Sequence, residues 1–280
     1  MKHQVIDVLV IIYDKKLEDS KTLQTLTNNT FLDFNLTIVN NGPNLIKDDE
    51  PFFIDISRRV RGTKLINRVE NAPLSKLYNE FILNNKNSDY YIIFDDDSDV
   101  SPDFMHIVSL QEADILLPRI YSVDDNQYYY PIQDGIVINE STKVDPGTIM
   151  SISSGLVLKK KLVDYFNIIY NGEIFDERFA LYGIDTSFFL RLHKLSNRNK
   201  IHAACISTIK HSLSRVSSVK SEFRTLERLY DAAITARHYP HFLTKRKFAH
   251  IISYYIYKLQ FKYVFVLLLY FIKGKHPRVQ

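Results

Sequence analysis

The chain has 280 residues, of which 45% are hydrophobic and 24% charged, and its formal net charge is +4. Aromatic residues are plentiful, which excludes a disordered chain, and the length allows one large domain or one domain with an appendage. Cys205 is the single cysteine, so an internal disulfide and a cysteine-based zinc framework are excluded, and any metal must rest on carboxylates and histidines.

Residues 5–12 form an apolar run behind Met1-Lys2-His3-Gln4. The run superficially resembles a signal peptide, but Asp7 interrupts it and no small-residue cleavage site follows before Asp14-Lys15-Lys16. It reads as a buried parallel strand, and without export the protein is expected in the cytoplasm. Asp19 or Ser20 is placed to cap a helix through about Asn28. Residues 36–39 read as a second strand, stopped by the turn signal Asn40-Asn41-Gly42-Pro43. Residues 74–83 have a helical pattern. Residues 90–94 are a strand that runs straight into acid. Short strands follow at 114–117 and 154–158, an amphipathic helix at 184–195 and a late strand at 202–209. This alternation predicts an α/β layered fold, with a mostly parallel central sheet flanked by helices.

After about Ser217 the character changes, which predicts a catalytic domain over 1–217 and a helical tail over 218–280. Residues 219–239 are helical in pattern and Pro240 breaks them. Residues 245–272 are apolar and aromatic, with Lys258 and Lys262 interrupting. The longest uncharged run there, 263–272, is short of the ~20 residues a membrane-spanning helix needs. From Lys210 onward the chain holds 14 Lys and Arg against 3 Asp and Glu, whereas the preceding part holds 22 against 29. A basic, apolar tail of this kind is either an interfacial helix with snorkelling lysines or a helix packed on the catalytic domain.

The most informative segment is Tyr90-Tyr91-Ile92-Ile93-Phe94-Asp95-Asp96-Asp97-Ser98-Asp99. Ligands of open α/β sheets bind at the carboxyl ends of strands. Adjacent carboxylates repel unless a cation or solvent relieves them. The first and third acids can face one side of an extended strand end, which suits a hard divalent cation that also binds a diphosphate. The competing reading is a solvated acidic turn ahead of Ser101-Pro102.

These residues resemble the Asp-x-Asp motif of family 2 glycosyltransferases, matched by Asp95-Asp96-Asp97. The resemblance continues in order along residues 5 to about 215. Asn71-Ala72-Pro73-Leu74-Ser75-Lys76-Leu77-Tyr78-Asn79 resembles the family's Asn-x-Gly-x-x-x-Ala-x-Asn stretch. Ser154-Gly155-Leu156-Val157-Leu158 is similar to its Ser-Gly strand, and Phe175-Asp176-Glu177-Arg178-Phe179 to its Phe-Asp-Glu-Arg-Phe element. Gly183-Ile184-Asp185-Thr186 resembles the start of the helix that carries the catalytic base, and His211-Ser212 falls where some members place a metal-binding histidine. Three departures stand out. Asn40 replaces the strand-end Asp that contacts the nucleotide base, Pro73 replaces a Gly, and Ile184-Asp185 replaces a Glu-Asp pair.

The resemblance implies the GT-A fold and an inverting transferase. Its donor is a nucleotide-sugar, with dTDP-rhamnose and UDP-galactofuranose the closest candidates from the rhamnosyltransferase-like tail. Its acceptor is a hydroxyl of a lipid-linked or cell-surface glycan. It implies a divalent cofactor, Mn2+ or Mg2+, on Asp95, Asp97 and His211, with the nucleotide meeting Tyr13, Asn40, Asn71, Asp95 and Asp96. Asp185 is the expected catalytic base; its alternative role is to cap the helix that it opens. Asp176-Glu177-Arg178 is either a solvated turn or part of the acceptor site. His211 is either a ligand or an ordinary strand-end histidine. The expected location is peripheral, on the inner face of the plasma membrane, with a homo-oligomer as a further possibility and no nucleic-acid partner. A nucleotidyl-transfer enzyme is the main rival, but residues 11–15 lack the Gly-rich phosphate loop expected of one. A nucleic-acid binder is the second rival, and no motif of that kind is present.

Overall fold

The structure, a computed structural model, describes residues 4–212 and 221–279. The first half supplies a parallel sheet. Strand β1 (Ile6–Ile12) is followed by helix α1 (Lys21–Leu26), β2 (Asn35–Asn40), α2 (Pro51–Arg59), β3 (Gly62–Asn67), α3 (Leu74–Asn84) and β4 (Tyr90–Phe94). Ser20 is the cap of α1, its Oγ accepting the Leu23 N–H at 3.2 Å. The four strands lie in the order β4-β1-β2-β3, all parallel, with Val8 facing Leu36 on one side and Ile92 on the other.

Every residue of β1 and β4 is buried, because helices or loops cover both faces of the sheet. Alternate side chains divide between two cores. Val8, Val10, Ile12, Ile92 and Phe94 enter one, whereas Leu9, Ile11, Tyr91 and Ile93 enter the other. Asp7, the residue that spoke against a signal peptide, is buried within β1 and accepts the Ser88 hydroxyl.

The second half extends the same sheet. It comprises β5 (Asp99–Val100), α4 (Phe104–Ser109), β6 (Ile115–Ser122), β7 (Gln127–Tyr130), β8 (Ile132–Gln133), β9 (Ile136–Val137), β10 (Thr142–Val144), β11 (Ile149–Met150), β12 (Leu156–Lys159), α5 (Lys160–Tyr170), α6 (Ile184–Ser196) and β13 (Ala203–His211). The sheet order is β10-β13-β6-β12-β4-β1-β2-β3, while β8, β9 and β11 form a small sheet of their own. β12 is antiparallel to both β4 and β6, and β10 is antiparallel to β13. The other six strands of that path share one direction, so the sheet is mostly parallel as expected.

Three helices follow: α7 (Glu222–His238), α8 (Phe242–Tyr257) and α9 (Phe261–Lys273). The expected boundary at 217/218 lies outside the described residues. The apolar stretch 245–272, read from sequence as one interrupted helix, is two helices. Leu259 adopts a left-handed conformation (φ 54°) between Lys258 and Gln260, and the chain reverses there. α7 is shared between two cores. Its Ile234 packs into the same core as Leu9 and Tyr91, while Leu229, Ala232 and Ala233 pack with Leu267 of α9. Beyond α9 the chain returns to the sheet domain, where the His276 N–H donates to the Arg178 carbonyl at 2.9 Å.

Candidate active site

The acid cluster sits in a turn that the front of the chain holds rigid. The Thr22 N–H and the Ser20 hydroxyl both donate to the Asp96 carbonyl, at 3.2 and 3.0 Å. The Thr22 hydroxyl donates to the Asp95 carbonyl and accepts the Ser98 N–H. On the other side, Ser154 Oγ accepts the Asp95 N–H at 3.3 Å and lies 2.6 Å from Ser98 Oγ. With its backbone groups spent in this way, the turn leaves its three carboxylates to be aimed by geometry alone.

They are aimed in two directions. Asp96 turns back to Lys15, whose Nζ lies 2.7 Å from its Oδ1, and its Oδ2 accepts the Tyr13 N–H at 3.4 Å. Asp95 and Asp97 turn together toward His211, as residues two apart at a strand end can. His211 Nε2 lies 3.1 Å from Asp97 Oδ1 and 3.6 Å from Asp95 Oδ2. Strand pairing brings the histidine there. β5 follows the acid cluster immediately and pairs with β13, Val100 opposite Ile209 and Asp99 opposite Lys210, so His211 is the next residue to face the acids.

These three side chains fit a divalent cation. Their ligand atoms lie within 4.8 Å of one another. His211 Nδ1 lies 2.9 Å from the Ser212 carbonyl, which fixes Nδ1–H as the donor and leaves the Nε2 lone pair toward the carboxylates. Nε2 and the facing Asp97 Oδ1 are both buried and neither has a hydrogen-bond partner. A positive charge belongs between them, either a proton on His211 Nε2, which the two acids favour, or a divalent cation in its place. The same electrostatics shift the titrations. Burial pushes Asp97 up to about 6, against the pull of His211. Burial alone would lower His211, but Asp95 and Asp97 carry it up to about 9.

Asp185 lies in the same cleft, in the first turn of α6. The N-cap position of that helix belongs to Gly183, so Asp185 does not cap it. Its Oδ1 instead accepts the Ser153 N–H at 3.0 Å. The neighbouring serines thus couple the two ends of the site, Ser154 holding Asp95 and Ser153 holding Asp185. Burial pushes Asp185 up to about 7, and the charges of Asp95 and Asp231 add to the shift. Gly183 makes the approach possible. Its φ is +85°, and a Cβ there would lie 2.5 Å from both Asp231 Oδ1 and the Phe179 ring.

The other predicted residues divide. Tyr13, half-exposed, and Asn71 line the cleft with the acid cluster and Asp185. Asn40 is 1% exposed, and its amide is spent on the Asn44 carbonyl and Asn67 Oδ1, both at 2.7 Å; it is Asn41 that lines the cleft. Asp176 is no solvated turn. It is fully buried between Arg178 (Nε at 2.7 Å), Arg191 (3.4 Å) and the Tyr239 hydroxyl (2.6 Å). Asn79 ties α3 to that element by bonding both the Phe175 carbonyl and the Phe175 N–H. The 175–179 element therefore stands behind the cleft, whereas Asn71, Leu74 and Tyr78 of the other stretch line it.

Sequence reasoning missed Asp231, Arg228, Lys247 and Arg278, which reach the cleft from the C-terminal part. Arg278 Nη1 donates to Asn71 Oδ1 at 3.2 Å across a separation of 207 residues. Such a contact has no local signal in the chain. The cleft that all of these residues line measures ≈ 910 Å³, within the usual range for small-molecule sites.

No protein-family model and no curated protein matches the sequence. Solved structures do match the fold. That of S. aureus TarS 1-349 aligns with a TM-score of 0.56 at 14% identity, covering 82% of this chain and 64% of that one. The same protein in complex with UDP-GlcNAc aligns with a TM-score of 0.56 at 13% identity, covering 83% and 66%. GalNAc-T7 with UDP, GalNAc and Mn2+ aligns with a TM-score of 0.52 at 11% identity, covering 84% and 51%. This chain has the GT-A fold. It spans about two thirds of the length of TarS 1-349 and about half that of GalNAc-T7. In this GT-A fold, as in open α/β sheets generally, the candidate site lies where β4 ends.

Proposed function

We propose that this chain is a metal-dependent, inverting glycosyltransferase that moves a sugar from a nucleotide-sugar to a glycan hydroxyl. The observation that carries the reading is one cleft holding the Asp95, Asp97 and His211 trio and, tied to it through Ser153-Ser154, the buried carboxylate of Asp185. A divalent cation held by the trio would supply positive charge against the leaving diphosphate. Asp96 and Lys15 fix the loop that follows β1, so that Tyr13 stands at the cleft edge to receive the base or ribose. Asn71 lies on the same side, and Asn41 braces the chain beside it by bonding both the N–H and the carbonyl of Ala72. Asp185 accepts the proton of the acceptor hydroxyl as the anomeric carbon is attacked from the face opposite the leaving group. A single in-line displacement of this kind inverts the anomer.

The acceptor is proposed to be a lipid-linked or cell-surface glycan, met at the inner face of the plasma membrane. No helix among the described residues is long and apolar enough to cross a membrane. The α8–α9 hairpin nevertheless leaves Tyr257, Leu259, Phe261 and Phe265 at least 60% exposed, close in sequence to Lys258 and Lys262. That mixture suits an interface of anionic lipid. Rhamnose and galactofuranose remain the proposed donor sugars, on the resemblance of the tail.

The test is calorimetric titration of the full chain with UDP, a probe for the donor diphosphate, with and without Mn2+. Binding that requires Mn2+ and disappears with excess chelator is expected. Nucleotide binding that ignores the metal, or failure to bind either UDP or dTDP titrated in the same way, overturns the reading.

A further inference from the structure

The wall of the cleft built by the C-terminal helices carries cations that the donor chemistry above does not use. α7 presents Arg224 and Arg228 one turn apart, α8 adds Lys247, and all three line the cleft. Side chains four apart on a helix are neighbours, and like charges there repel. Among the described residues neither Arg228 nor Lys247 has a salt-bridge partner within hydrogen-bonding reach. The Arg228 guanidinium instead lies over the Tyr182 ring, 5.8 Å from its centroid. Lys247 acts on Asp231 at longer range, opposing the effect of burial on that acid.

These tethers decide which half of the cleft the cations serve. Tyr182 and Gly183 form the approach to α6 and Asp185. Asp231 Oδ1 occupies the space beside Gly183 that a Cβ would fill. Arg228 therefore stands against the loop that leads to Asp185, and Lys247 acts on Asp231 beside it, on the Asp185 side of the cleft and not at the turn after β4. Arg278 is different, because it binds Asn71 on the nucleotide side. Phe223 and Ile251 lie along the same wall and give it apolar surface beside the charges.

A neutral sugar needs hydroxyl-directed amides and carboxylates, not a pair of cations. A phosphate does need them, and guanidinium and ammonium groups are its usual protein partners. We infer that the acceptor is a phosphate-bearing molecule, its phosphate held by Arg228 and Lys247 so that the hydroxyl to be glycosylated meets Asp185. This rests on the reading of the Asp185 side as the acceptor side. Two sources share the chemistry: a lipid diphosphate that carries the glycan, and a water-soluble polymer with phosphodiester repeats.

The experiment loads the full chain with Mn2+ and UDP and then titrates phosphate-bearing probes against neutral ones. Farnesyl diphosphate is compared with farnesol, and a glycerol phosphate oligomer with glycerol. Binding of at least one phosphate probe and of neither neutral probe is expected. The double substitution Arg228→Gln with Lys247→Gln should weaken that binding by about tenfold or more, as loss of charge-assisted hydrogen bonds does, while UDP affinity stays the same. Preference for farnesyl diphosphate identifies a lipid-linked source, and preference for the oligomer a polymer. Arg228→Lys, which keeps the charge, should retain most of the binding and covers the case in which the double variant fails to fold. Loss of UDP affinity with unchanged probe binding would assign the cations to the donor and overturn the inference, as would a wild type that binds no phosphate probe. If UDP itself does not bind, the donor reading fails separately. The probes are then titrated without nucleotide, and the subsite stands or falls on the double variant alone.

Discussion

The turn after β4 and the α8–α9 hairpin are arranged in opposite ways. At the turn, polar side chains are gathered at a sheet end: Asp95, Asp97 and His211 face one another while Ser20, Thr22 and Ser154 hold the backbone of the turn. At the hairpin, large apolar side chains stand in solvent: Tyr257 is 80% exposed, Leu259 75% and Phe265 66%. Each arrangement is unfavourable in isolation, the first by charge repulsion and lost solvation, the second by unburied apolar area. The difference teaches what each region is waiting for. In the proposed function the first would be completed by a small, hard, positive ion, and the second by an extended apolar surface. Precision is built where the partner is small, and area where it is large.

The comparison breaks first at Asp97. Asp97→Asn should lower sugar transfer by about a thousandfold or more, as removal of a principal electrostatic group does. Mn2+-dependent UDP binding should weaken with it while the circular-dichroism spectrum and melting temperature hold. A variant with wild-type transfer would show that the trio is not a metal site.

Asp185→Asn tests the other end of the same rigid unit. Turnover should fall by at least ~100-fold with UDP affinity unchanged, because the lost interaction belongs to the transition state. The wild-type rate should rise with pH through about 7, where Asp185 loses its proton. The same shift has a stability consequence. Its folded pKa of about 7 lies above the ordinary 3.8, so the folded state holds the proton more tightly, and stability falls as pH rises from about 4 through 7. Asn cannot ionise. Melting of the metal-free variant should therefore match wild type near pH 4 and exceed it at pH 8; an equal melting temperature at both pH values would mean that Asp185 is not strained by burial.

Asp176→Asn asks whether the back wall is structural. Removing one charge from a buried pair costs about 3–5 kcal/mol, so chemical denaturation should report a loss of that order. A loss below about 1 kcal/mol would mean that Asp176 does not organise Arg178 and Arg191. The smallest effect on the folded enzyme belongs to the hairpin. Tyr257→Ser with Phe265→Ser should leave the melting temperature within a few degrees, because both residues are exposed. Sedimentation with vesicles containing phosphatidylglycerol should fall by about tenfold, in line with the apolar area removed. Unchanged sedimentation, or a change of mass in solution instead, would point to a contact between copies of the chain.

Much of this was legible in the chain itself. The apolar runs of β1 and β4 are strands because both faces are covered and every residue can be apolar. The Asp95-Asp96-Asp97 knot stood out as a candidate site because acids rarely follow a buried strand so abruptly. Of the two caps the chain offers for α1, Asp19 and Ser20, it is Ser20 whose hydroxyl accepts the Leu23 N–H. The two lysines of the tail read only as interruptions of one helix, and the break was beyond local reasoning: a left-handed Leu259 turns one apolar stretch into a hairpin, with Leu267 packed against α7.

What the sequence by itself determined was therefore the layered α/β fold and the place of the acid cluster at a strand end, because periodicity and composition are local properties. Tertiary structure alone decided which acid faces which partner. Asp96 goes to Lys15, and Asp95 and Asp97 to His211, because β5 pairs with β13 and not with a nearer strand. It also buried Asn40 and brought Asp231, Arg228, Lys247 and Arg278 to a cleft that begins more than two hundred residues earlier. Contacts of that range depend on how the C-terminal helices pack against the sheet domain, and no spacing within the chain records them.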